Sequence, residues 1–546
     1  MGAALSQSTL LGFALGILSH RLLFIRGEWE RHVVPIFYAV LSLPFLLFPV
    51  QLASGGRPVL GSIAATVAWI ASYYAGLFAS MLTYRAFFHP LRSYPGPFLA
   101  RLSSFWSLWH QIPGFKWYEQ VQDLHRRYGD FVRIRPRELS INHPDAVQAI
   151  HGPRSVCTKS PYYDLYYPHR SLQLTRDKPL HAQRRRVWDR GLGERALREY
   201  EPRVLKHCTG LCSELLAQAG SATDVTPWFN HWALDVIGDI GFGQSFNMVK
   251  SEGASQPMLK EIAEVKSVQA VIGTVPWLYS LALVFPMVRK ERDKWFRWCK
   301  QQLSTRRERK GDFSDIFAHL VDEESRRAND PDVAENSLVY DVELATLAGS
   351  DTVSATLGNA IYLLATHPKD LAVLQAEIDA LFATVSDFDH KQLVGQPMLE
   401  GVINEALRLF PVVPSGFPRL TPPEGMVIAG QWVPGDTVVS TPTYTIFRDP
   451  RCFASPNEFL PQRWSSEPEL VHRKDAFVPF STGVYSCVGK QLAMMELRLM
   501  IALVVKQFNI QLADDRVHHA FLEEPGHMDF VTVEMPPLRL ILTSRG

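Results

Sequence analysis

The sequence predicts a mainly α-helical body with small β-sheets, preceded by transmembrane helices at the N-terminus. Three observations predict this class. Long apolar stretches open the chain of 546 residues. From about residue 115 to 410, apolar residues recur at helical spacing. Strand-like pieces are short and local, in "DFVRIRPRELSINH" and "EGMVIAGQWVPGDTVVSTPTY", and no repeat of about 20 to 50 residues is visible, which argues against a solenoid or propeller.

The composition fits a globular protein and argues against some partners. Hydrophobic residues make up 47% and charged residues 20% of the chain, so disorder over most of its length is not expected. The formal net charge of +1 supplies no global field for nucleic acid, and no nucleic-acid partner is expected. The six cysteines are too scattered for a disulfide framework, which predicts a reducing, cytosol-facing body.

Two of the cysteines, Cys208 and Cys212, are four residues apart beside His207. That spacing places both thiols on one helical face, and a metal site is one interpretation. A closed zinc site needs about four ligands, and no second Cys/His pair follows at a suitable spacing. Packing of two small apolar cysteines in the core is the favoured alternative.

Three apolar stretches open the chain, at about residues 5–19, 33–54 and 59–83. The second and third carry no charged residue and have the roughly 20 residues that cross a bilayer, so both are predicted to span it. The first is shorter and runs into His20 and Arg21, so a span, an interfacial helix and a cleaved signal remain open. Burial of the stretches as core helices is the alternative to membrane insertion.

Arginines beside these stretches predict the topology, because positively charged loops stay in the cytosol. Three lie between the first two stretches, one lies between the second and third, and three follow the third. They are Arg21, Arg26, Arg31, Arg57, Arg85, Arg92 and Arg101. We therefore expect a membrane region (1–84) with two or three transmembrane helices, a proline-rich hinge (85–114) and a cytosolic folded domain (115–546).

The stretch "FSTGVYSCVGKQL" places one cysteine between two glycines, directly before a long apolar segment. The segment predicts a buried helix of about five turns, and Cys487 lies where it begins. A helix N-terminus stabilises a thiolate through its free N–H groups and its dipole. Gly483 and Gly489 would let a broad flat ligand approach the backbone, and Phe480 would shield the sulfur. A buried structural cysteine and a nucleophile are the alternatives to a metal ligand.

The stretch "FSTGVYSCVGKQLA" resembles the haem-binding loop of the cytochrome P-450 family, whose pattern is Phe, two residues, Gly, three residues, Cys, one residue, Gly. The resemblance implies the P-450 fold, a haem b (iron protoporphyrin IX) cofactor and Cys487 as the axial thiolate ligand. The family usually has arginine two residues before the cysteine, where this chain has Tyr485. A tyrosine hydroxyl can hydrogen-bond a haem propionate but cannot neutralise it, so other groups must carry that charge.

Three residues are candidates for the propionate contacts by the same resemblance. "HAQRRRVWDRGL" has the spacing of the family's helix with Trp, three residues and Arg. This match assigns Arg185 and, in place of the tryptophan, His181. Arg419, in "PSGFPRLTPP", resembles the family's arginine on the strand after the Glu-x-x-Arg helix. The alternative for the arginines is a solvated basic face.

A structural ion network is implied by "EALRLFP" and "FLPQRW". Glu405 and Arg408 are three residues apart and so share a helical face; with Arg463 they resemble the family's buried Glu-Arg-Arg network. Glu-x-x-Arg by itself is an ordinary surface pair, whereas the combination is specific. A buried ion cluster must be fully satisfied, so its predicted task is to support the cysteine loop.

The stretch "LATLAGSDTVSATLGNAIYLLATHP" predicts a long apolar helix with polar groups at its centre. It resembles the family's Ala/Gly-Gly-x-Asp/Glu-Thr motif, with Val353 replacing a common hydroxyl residue. The resemblance implies that dioxygen and water approach the backbone at Gly349, and that Asp351 and Thr352 deliver protons. The alternative is local satisfaction, with Thr352 bonded to a carbonyl one turn back.

The resemblance covers roughly residues 90–545 and implies that the 115–546 domain is a haem-thiolate monooxygenase. It implies oxidation of a lipophilic small molecule, as in fungal enzymes of specialised metabolism such as the tryprostatin-type hydroxylases. Gly349, Val413 and Pro414 are the candidate substrate contacts. Alternatives are rearrangement, ring expansion or dehydration on the same scaffold, a cysteine hydrolase, and a non-catalytic membrane-tethered binding protein.

Electrons must come from a partner, because no nucleotide-binding fingerprint follows a predicted strand. The resemblance implies an NADPH-dependent reductase in the endoplasmic reticulum membrane, with cytochrome b5 as a second candidate donor. Five basic residues are candidates for the docking face, with a solvated surface as the alternative. They are Lys300, Arg306, Arg307, Arg309 and Lys490.

Overall fold

Helices make up most of the protein. The computed structural model describes residues 2–56, 58–252, 257–309, 314–326, 337–384, 389–523 and 526–545. The helices are α1 (Gly2–Ser19), α2 (Val33–Gly55), α3 (Val59–Thr83), α4 (Phe98–Leu102), α5 (Phe105–Gln111), α6 (Trp117–Tyr128), α7 (Pro144–His151), α8 (Lys178–Gly191), α9 (Glu194–Ala217), α10 (Thr226–Phe242), α11 (Pro257–Thr274), α12 (Pro276–Ala282), α13 (Pro286–Glu308), α14 (Ile316–Arg326), α15 (Ser337–Thr366), α16 (Pro368–Thr384), α17 (His390–Leu393), α18 (Pro397–Leu409), α19 (Thr443–Ile446), α20 (Lys490–Gln507) and α21 (Asp515–Leu522).

The strands are short and form small sheets. They are β1 (Phe131–Arg135), β2 (Glu138–Ile141), β3 (Thr158–Lys159), β4 (Ala222–Asp224), β5 (Arg419–Leu420), β6 (Met426–Ile428), β7 (Gln431–Val433), β8 (Val438–Ser440), β9 (Phe508–Leu512), β10 (Met528–Phe530), β11 (Thr532–Glu534) and β12 (Arg539–Ser544). One sheet has the order β1-β2-β8-β5-β3 and a second has the order β4-β12-β9, while β6-β7 and β10-β11 are hairpins. In the first sheet β3 pairs antiparallel with β5, which sets Lys159 directly opposite Arg419. The predicted class, mainly α with small β-sheets, is confirmed.

Helix α15 lies at the centre of the body, against α10, α13, α18 and α20. It has 30 residues, and residues 353–364 in its second half are all buried. Leu357, Ala360 and Ile361 have no exposed surface. Helix α20, predicted as a buried helix of about five turns, has 18 residues. It begins at Lys490, three residues after the cysteine, with Gly489 in the N-cap position.

Two helical stretches near the N-terminus, Glu30–Ala53 and Val59–Phe88, are long and apolar enough to span a bilayer. They correspond to the second and third apolar stretches of the sequence. Helix α1, which contains most of the first stretch, packs on α3. At Gly16 and Gly76 an added Cβ would overlap the main chain of the opposite helix. Glycine at these points therefore allows the two backbones to touch.

The loop after α1 lies on the helical body. Arg31 pairs with Asp164 at 2.8 Å, and Glu28 pairs with Arg176 at 2.7 Å. This loop carries arginines that the sequence predicts to be cytosolic, and it lies on the same side of the apolar helices as the body. Arg57, in the connection between α2 and α3, lies outside the described residues.

The proline-rich segment at 85–114 is attached to strand β1. The Arg133 N–H donates to the Pro95 carbonyl at 2.7 Å, and Arg85 Nη1 donates to the Leu102 carbonyl at 2.7 Å. Gly96 has φ +149, and a Cβ there would overlap the Arg133 backbone. The segment predicted as a hinge thus packs against the first sheet, and the domain limits stay predictions.

Cys208 and Cys212 are buried in α9, in the main hydrophobic core. His207 beside them places Nε2 3.0 Å from Asp239 Oδ2. Burial raises the pKa of Cys212 to about 12, so this thiol stays protonated and is a poor metal ligand. The contacts favour packing over metal binding.

Candidate active site

The cysteine loop is held in place by its own backbone and by α7. The Cys487 N–H donates to the Phe480 carbonyl at 2.8 Å. Gly483 has φ +70, and a Cβ at this residue would lie 2.5 Å from the His151 carbonyl oxygen. A positive φ and this close approach both require glycine. Gly483 therefore fixes the loop against α7, whereas Gly489 has an ordinary φ of −85 and a Cβ there would lie 3.9 Å from Cys487 Sγ.

The thiol of Cys487 opens into an internal cavity of about 390 Å³. Burial raises the pKa of this thiol, while the N–H groups of Gly489 and Lys490 and the charge of Arg185 oppose the rise. None of the described histidines or carboxylates is hydrogen-bonded to its sulfur. A thiolate here is best stabilised by a bound metal ion, because an activating base for a nucleophile is not in place.

Most of the predicted site residues meet at this cavity. They are Gly349, Asp351, Thr352, Val413, Arg419, His181, Arg185, Phe480, Tyr485, Cys487 and Gly489. Pro414 does not line this cavity. It belongs to the wall of a second cavity of about 640 Å³, together with Tyr118, Tyr362 and Phe410. The prediction for Pro414 is corrected, because Pro411, Val412, Val413 and Gly416 of its segment line the first cavity and Pro414 does not.

The polar centre of α15 is partly satisfied within the helix. Thr352 Oγ1 donates to the Ala348 carbonyl at 2.8 Å, which was the local alternative for this residue. Its oxygen keeps acceptor capacity in the cavity wall. A Cβ at Gly349 would lie 2.8 Å from Ile237 Cδ1 of α10, so glycine at this position also permits close packing of α10 on α15.

The carboxylate of Asp351 is bound by a lysine that sequence reasoning did not identify. Lys266 Nζ, on α11, lies 3.2 Å from Asp351 Oδ2 and 3.4 Å from Glu534 Oε2. Burial lowers the pKa of Lys266, but the two carboxylates outweigh that effect and raise it. Thr532 Oγ1 is 3.4 Å from the same Asp351 oxygen. Asp351 is therefore linked to helix α11 and to the β10–β11 hairpin.

Basic and aromatic side chains form one end of the cavity. Arg185 donates to the Ser486 carbonyl at 2.6 Å, so it supports the cysteine loop from α8. The buried His181 ring lies 4.9 Å from the Tyr485 ring. Burial, and then the charge of Lys159, lower the pKa of His181 to about 3. Three buried polar atoms here have no hydrogen-bond partner among the described residues: His181 Nδ1, Arg419 Nε and the Tyr485 hydroxyl.

Glu405, Arg408 and Arg463 form a buried cluster, as the sequence predicts. Arg408 donates Nε and Nη2 to the two Glu405 oxygens at 2.7 and 2.8 Å. Arg463 Nε lies 3.1 Å from Glu405 Oε1, although its N–H is not aimed at that oxygen. Trp464 Nε1 and the Leu460 N–H also donate to the carboxylate, at 3.0 and 2.9 Å. Each Glu405 oxygen therefore accepts more than one donor.

This cluster connects to the cysteine loop through aromatic packing. Arg408 Nη1 donates to the Phe447 carbonyl at 3.1 Å. The rings of Phe447 and Trp464 lie 5.0 and 4.5 Å from the ring of Phe477, three residues before Phe480. The role of the Glu405–Arg408–Arg463 cluster in supporting the cysteine loop stays a prediction, and this geometry supports it.

Glu343 is a further cavity residue that sequence reasoning missed. It lies on α15 and accepts a hydrogen bond of 2.9 Å from the Tyr166 hydroxyl. Burial raises the pKa of Glu343 to about 7 despite this bond. Its acidic side chain in a largely apolar helix was the signal in the sequence, and Asp341 and Asp351 of the same helix share that signal.

One of the five basic residues predicted to form the reductase docking face is buried. Arg306 is buried, and its Nε lies 2.7 Å from Asp315 Oδ2. A buried and paired guanidinium is not accessible to a partner, so that assignment is wrong. Arg307 also has a carboxylate partner, Glu324. The residues that keep exposed surface are Lys300, Arg307, Arg309 and Lys490.

Comparison with known proteins decides the family. The family model described as Cytochrome P-450 matches residues 95–540. The chain belongs to the cytochrome P-450 family. This P-450 is 39% identical over 542 residues to "Cytochrome P450 monooxygenase FCK2" of Fusarium pseudograminearum, covering 98% of the chain and 97% of the relative. It is 37% identical to "Cytochrome P450 monooxygenase nodW" of Hypoxylon pulicicidum, covering 97% of each.

One relative is named for its substrate, tryprostatin B 6-hydroxylase of Aspergillus fumigatus. This P-450 is 35% identical to it over 515 residues, covering 92% of the chain and 90% of the relative. The protein is thus an oxygen-incorporating oxidoreductase, a monooxygenase related to fungal enzymes of secondary metabolism. This membership decides against the cysteine hydrolase and the non-catalytic binding protein.

The family implies a haem iron with a thiolate ligand, and the residues present fit that group. A thiol opens into the cavity, and three buried polar atoms at one end of it have no partner among the described residues. Buried polar groups of this kind are normally satisfied. A planar ligand with carboxylate side chains would satisfy them.

Proposed function

We propose that this P-450 binds haem b through Cys487 and oxidises a lipophilic fungal secondary metabolite, with hydroxylation as the main reaction. The observation that carries the proposal is the joint lining of one cavity by the Cys487 thiol and the Asp351–Thr352 pair. The thiol, the proposed proton relay and the space for substrate therefore share a single cavity.

The residues of the cysteine loop and α8 would hold the cofactor. Cys487 would supply a thiolate ligand to the haem iron, while Phe480 and Gly489 lie beside it in the cavity wall. Arg185, His181, Arg419 and Tyr485 are the propionate candidates. When bound, the haem supplies dioxygen reduction and oxygen insertion, and the protein supplies orientation and exclusion of water.

Proton delivery is assigned to Thr352 and Asp351. Thr352 holds a hydroxyl in the cavity wall, anchored by its bond to Ala348. The Asp351 carboxylate is held by Lys266, so it must exchange that ion pair for water before it passes a proton into the cavity. Gly349 keeps the helix surface open beside this pair.

The substrate is assigned by the character of the walls. Apolar groups such as Val412, Val413, Leu344 and Phe530 line the cavity, which suits a lipophilic small molecule. The name of the relative that acts on tryprostatin B supports a related class of metabolite. Product analysis under ¹⁸O-labelled dioxygen separates hydroxylation, which incorporates the label, from rearrangement, ring expansion or dehydration.

An NADPH-dependent reductase, with cytochrome b5 as an additional donor, is the proposed source of electrons. Residues 1–84 would anchor the protein in the endoplasmic reticulum membrane, with 115–546 in the cytosol. The contacts of Glu28 and Arg31 with the body support that orientation, because they place the arginine-containing loop beside it.

The deciding experiment compares two cysteine variants in detergent-solubilised membranes. Wild type reduced under carbon monoxide is expected to give the long-wavelength Soret band of thiolate-ligated haem. Cys487→Ala should lose that band and all turnover, whereas Cys157→Ala, at a buried free cysteine away from the cavity, should keep both. A thiolate-type band in Cys487→Ala would overturn the ligand assignment.

A further inference from the structure

Two buried cations face each other on the small strands at the basic end of the cavity. Lys159 of β3 and Arg419 of β5 are direct cross-strand partners, and each side chain has only 3% of its surface exposed. Like charges directly opposite on a sheet repel each other. Their burial costs several kcal/mol per ion unless an anion compensates them.

The protein supplies these two cations with neutral partners. Lys159 Nζ donates to the carbonyls of Leu172 and Gln173 at 3.3 and 2.6 Å. Arg419 Nη1 donates to the Tyr163 hydroxyl at 2.7 Å. No carboxylate in the described part of the chain lies within 4.0 Å of either cation.

The neighbouring arginines differ, because each has a carboxylate of its own. Arg176 pairs with Glu28 and Asp164, Arg184 pairs with Asp341, and Arg185 pairs with Asp189. These acidic residues are therefore already engaged. Lys159 and Arg419 therefore have no counter-ion among the described residues, and burial, followed by the charge of Arg419, lowers the pKa of Lys159.

Tyr485 lies between the two cations. Its ring centroid is 4.7 Å from Lys159 Nζ and 5.0 Å from Arg419 Cζ. Its hydroxyl is buried and has no hydrogen-bond partner among the described residues. All three side chains line the cavity into which Cys487 opens. An anion there would meet an ammonium group, a guanidinium group and a hydroxyl donor together.

We propose that Lys159 and Arg419, with Tyr485 between them, bind the two propionate carboxylates of haem, and that Lys159 supplies the positive charge missing at position 485. This inference rests on the proposed haem function. The cofactor carries two carboxylates, and the site has two unmatched cations. Where the family usually has arginine, Tyr485 thus leaves space for Lys159 of β3 and offers its ring face to the ammonium group.

The test measures cofactor retention in the full-length holoprotein. Lys159→Met is compared with wild type and with Lys178→Met, a nearby lysine that does not line the cavity. Haem transfer to excess apomyoglobin should be roughly 10- to 100-fold faster in Lys159→Met, as expected for one lost charge-assisted hydrogen bond. Lys178→Met should match wild type, and Lys159→Arg should recover most of the retention.

A charge-relocation variant separates this role from general support of the fold. Adding Tyr485→Arg to Lys159→Met places a cation two residues before the cysteine and should slow haem transfer again. Equal transfer rates in Lys159→Met and wild type would overturn the proposal, as would a double variant that loses haem as fast as Lys159→Met. If Lys159→Met does not accumulate, recovery of holoprotein in the double variant supports the proposal and its failure counts against it.

Two further readouts identify the source of the carboxylate. The carbon monoxide band of wild type tests the haem-thiolate function by itself, because Lys159→Met should keep that band in the haem it retains. If a substrate carboxylate is the natural anion, haem retention stays at the wild-type level. The variant then loses affinity only for carboxylated fatty-acid probes such as laurate, and this outcome contradicts the proposal.

Discussion

Two buried charge clusters of this protein are built in opposite ways. In the first, Glu405 binds both Arg408 and Arg463, and the remaining arginine N–H groups donate mainly to backbone carbonyls. In the second, Lys159 and Arg419 are opposed across two strands without a carboxylate from the described residues. The first cluster contains its own carboxylate, whereas the described residues supply none to the second.

The difference separates structural charge from binding charge. A buried ion network with all its partners inside the chain holds two segments together and changes little when a ligand arrives. Two buried cations with no carboxylate in contact are stabilised when an anion is supplied to them. A carboxylate within the cluster, which Glu405 supplies and which Lys159 and Arg419 lack, therefore distinguishes the two roles where burial alone does not.

Breaking the cluster of Glu405, Arg408 and Arg463 should have the largest effect on stability. Glu405→Gln leaves Arg408 and Arg463 buried without a counter-ion and should reduce the free energy of unfolding by about 3–5 kcal/mol. Thermal denaturation followed by circular dichroism, with the yield of holoprotein, measures this loss. Glu400→Gln on the same helix removes a partly exposed pair with Arg498 and should cost about 1 kcal/mol or less. Equal losses in the two variants would contradict the comparison.

Lys266 is an intermediate case, since its two carboxylates come from different elements around the cavity. Lys266→Met should lower the free energy of unfolding by about 2 kcal/mol, because Asp351 and Glu534 lose their shared cation. A double-mutant cycle with Asp351→Asn isolates the pair. Lys260→Met, at an exposed lysine of the same helix, is the control with almost no expected change. A coupling energy near zero would show that the ion pair does not link α11 to α15.

The smallest expected effect is a pH-dependent change in thermal stability at Glu343. Burial raises the pKa of Glu343 from 4.5 to about 7, so the folded protein favours the protonated form. The stability due to that form is complete below about pH 4.5 and is lost as the pH rises through 7. The Tm of Glu343→Gln relative to wild type should therefore rise by about 2–4 °C between pH 5 and 8. A Tm difference that stays constant over this range would show that Glu343 remains ionised.

The parts of the site that lie close together in sequence could be predicted. The cysteine loop, the Glu405–Arg408 turn and the Asp351–Thr352 pair are each defined by spacing within one element, so a local pattern is sufficient. Lys159 and Lys266 were missed because their partners are far along the chain. Cross-strand pairing brings Lys159 to Arg419, and helix packing brings Lys266 to Asp351.

Two wrong predictions have the same origin. Pro414 follows Val413 directly, yet the two residues line different cavities, because the chain turns between them and the adjacent cavities share this wall. Arg306 belongs to a basic run but is buried against Asp315. The charge and hydrophobicity of a residue indicate whether it suits a surface or a cavity. Tertiary packing decides which residues of a segment actually face that surface or cavity.

The contact between α1 and α3 has a consequence for biosynthesis. Their glycine faces meet without intervening side chains, and His20 bonds to Ser80, 60 residues further along the chain. Translation therefore completes α1 well before its partner exists. While α1 is the only one of the two that has been synthesised, its glycine face lacks the backbone that covers it in the folded protein, and the emergence of α3 supplies that contact.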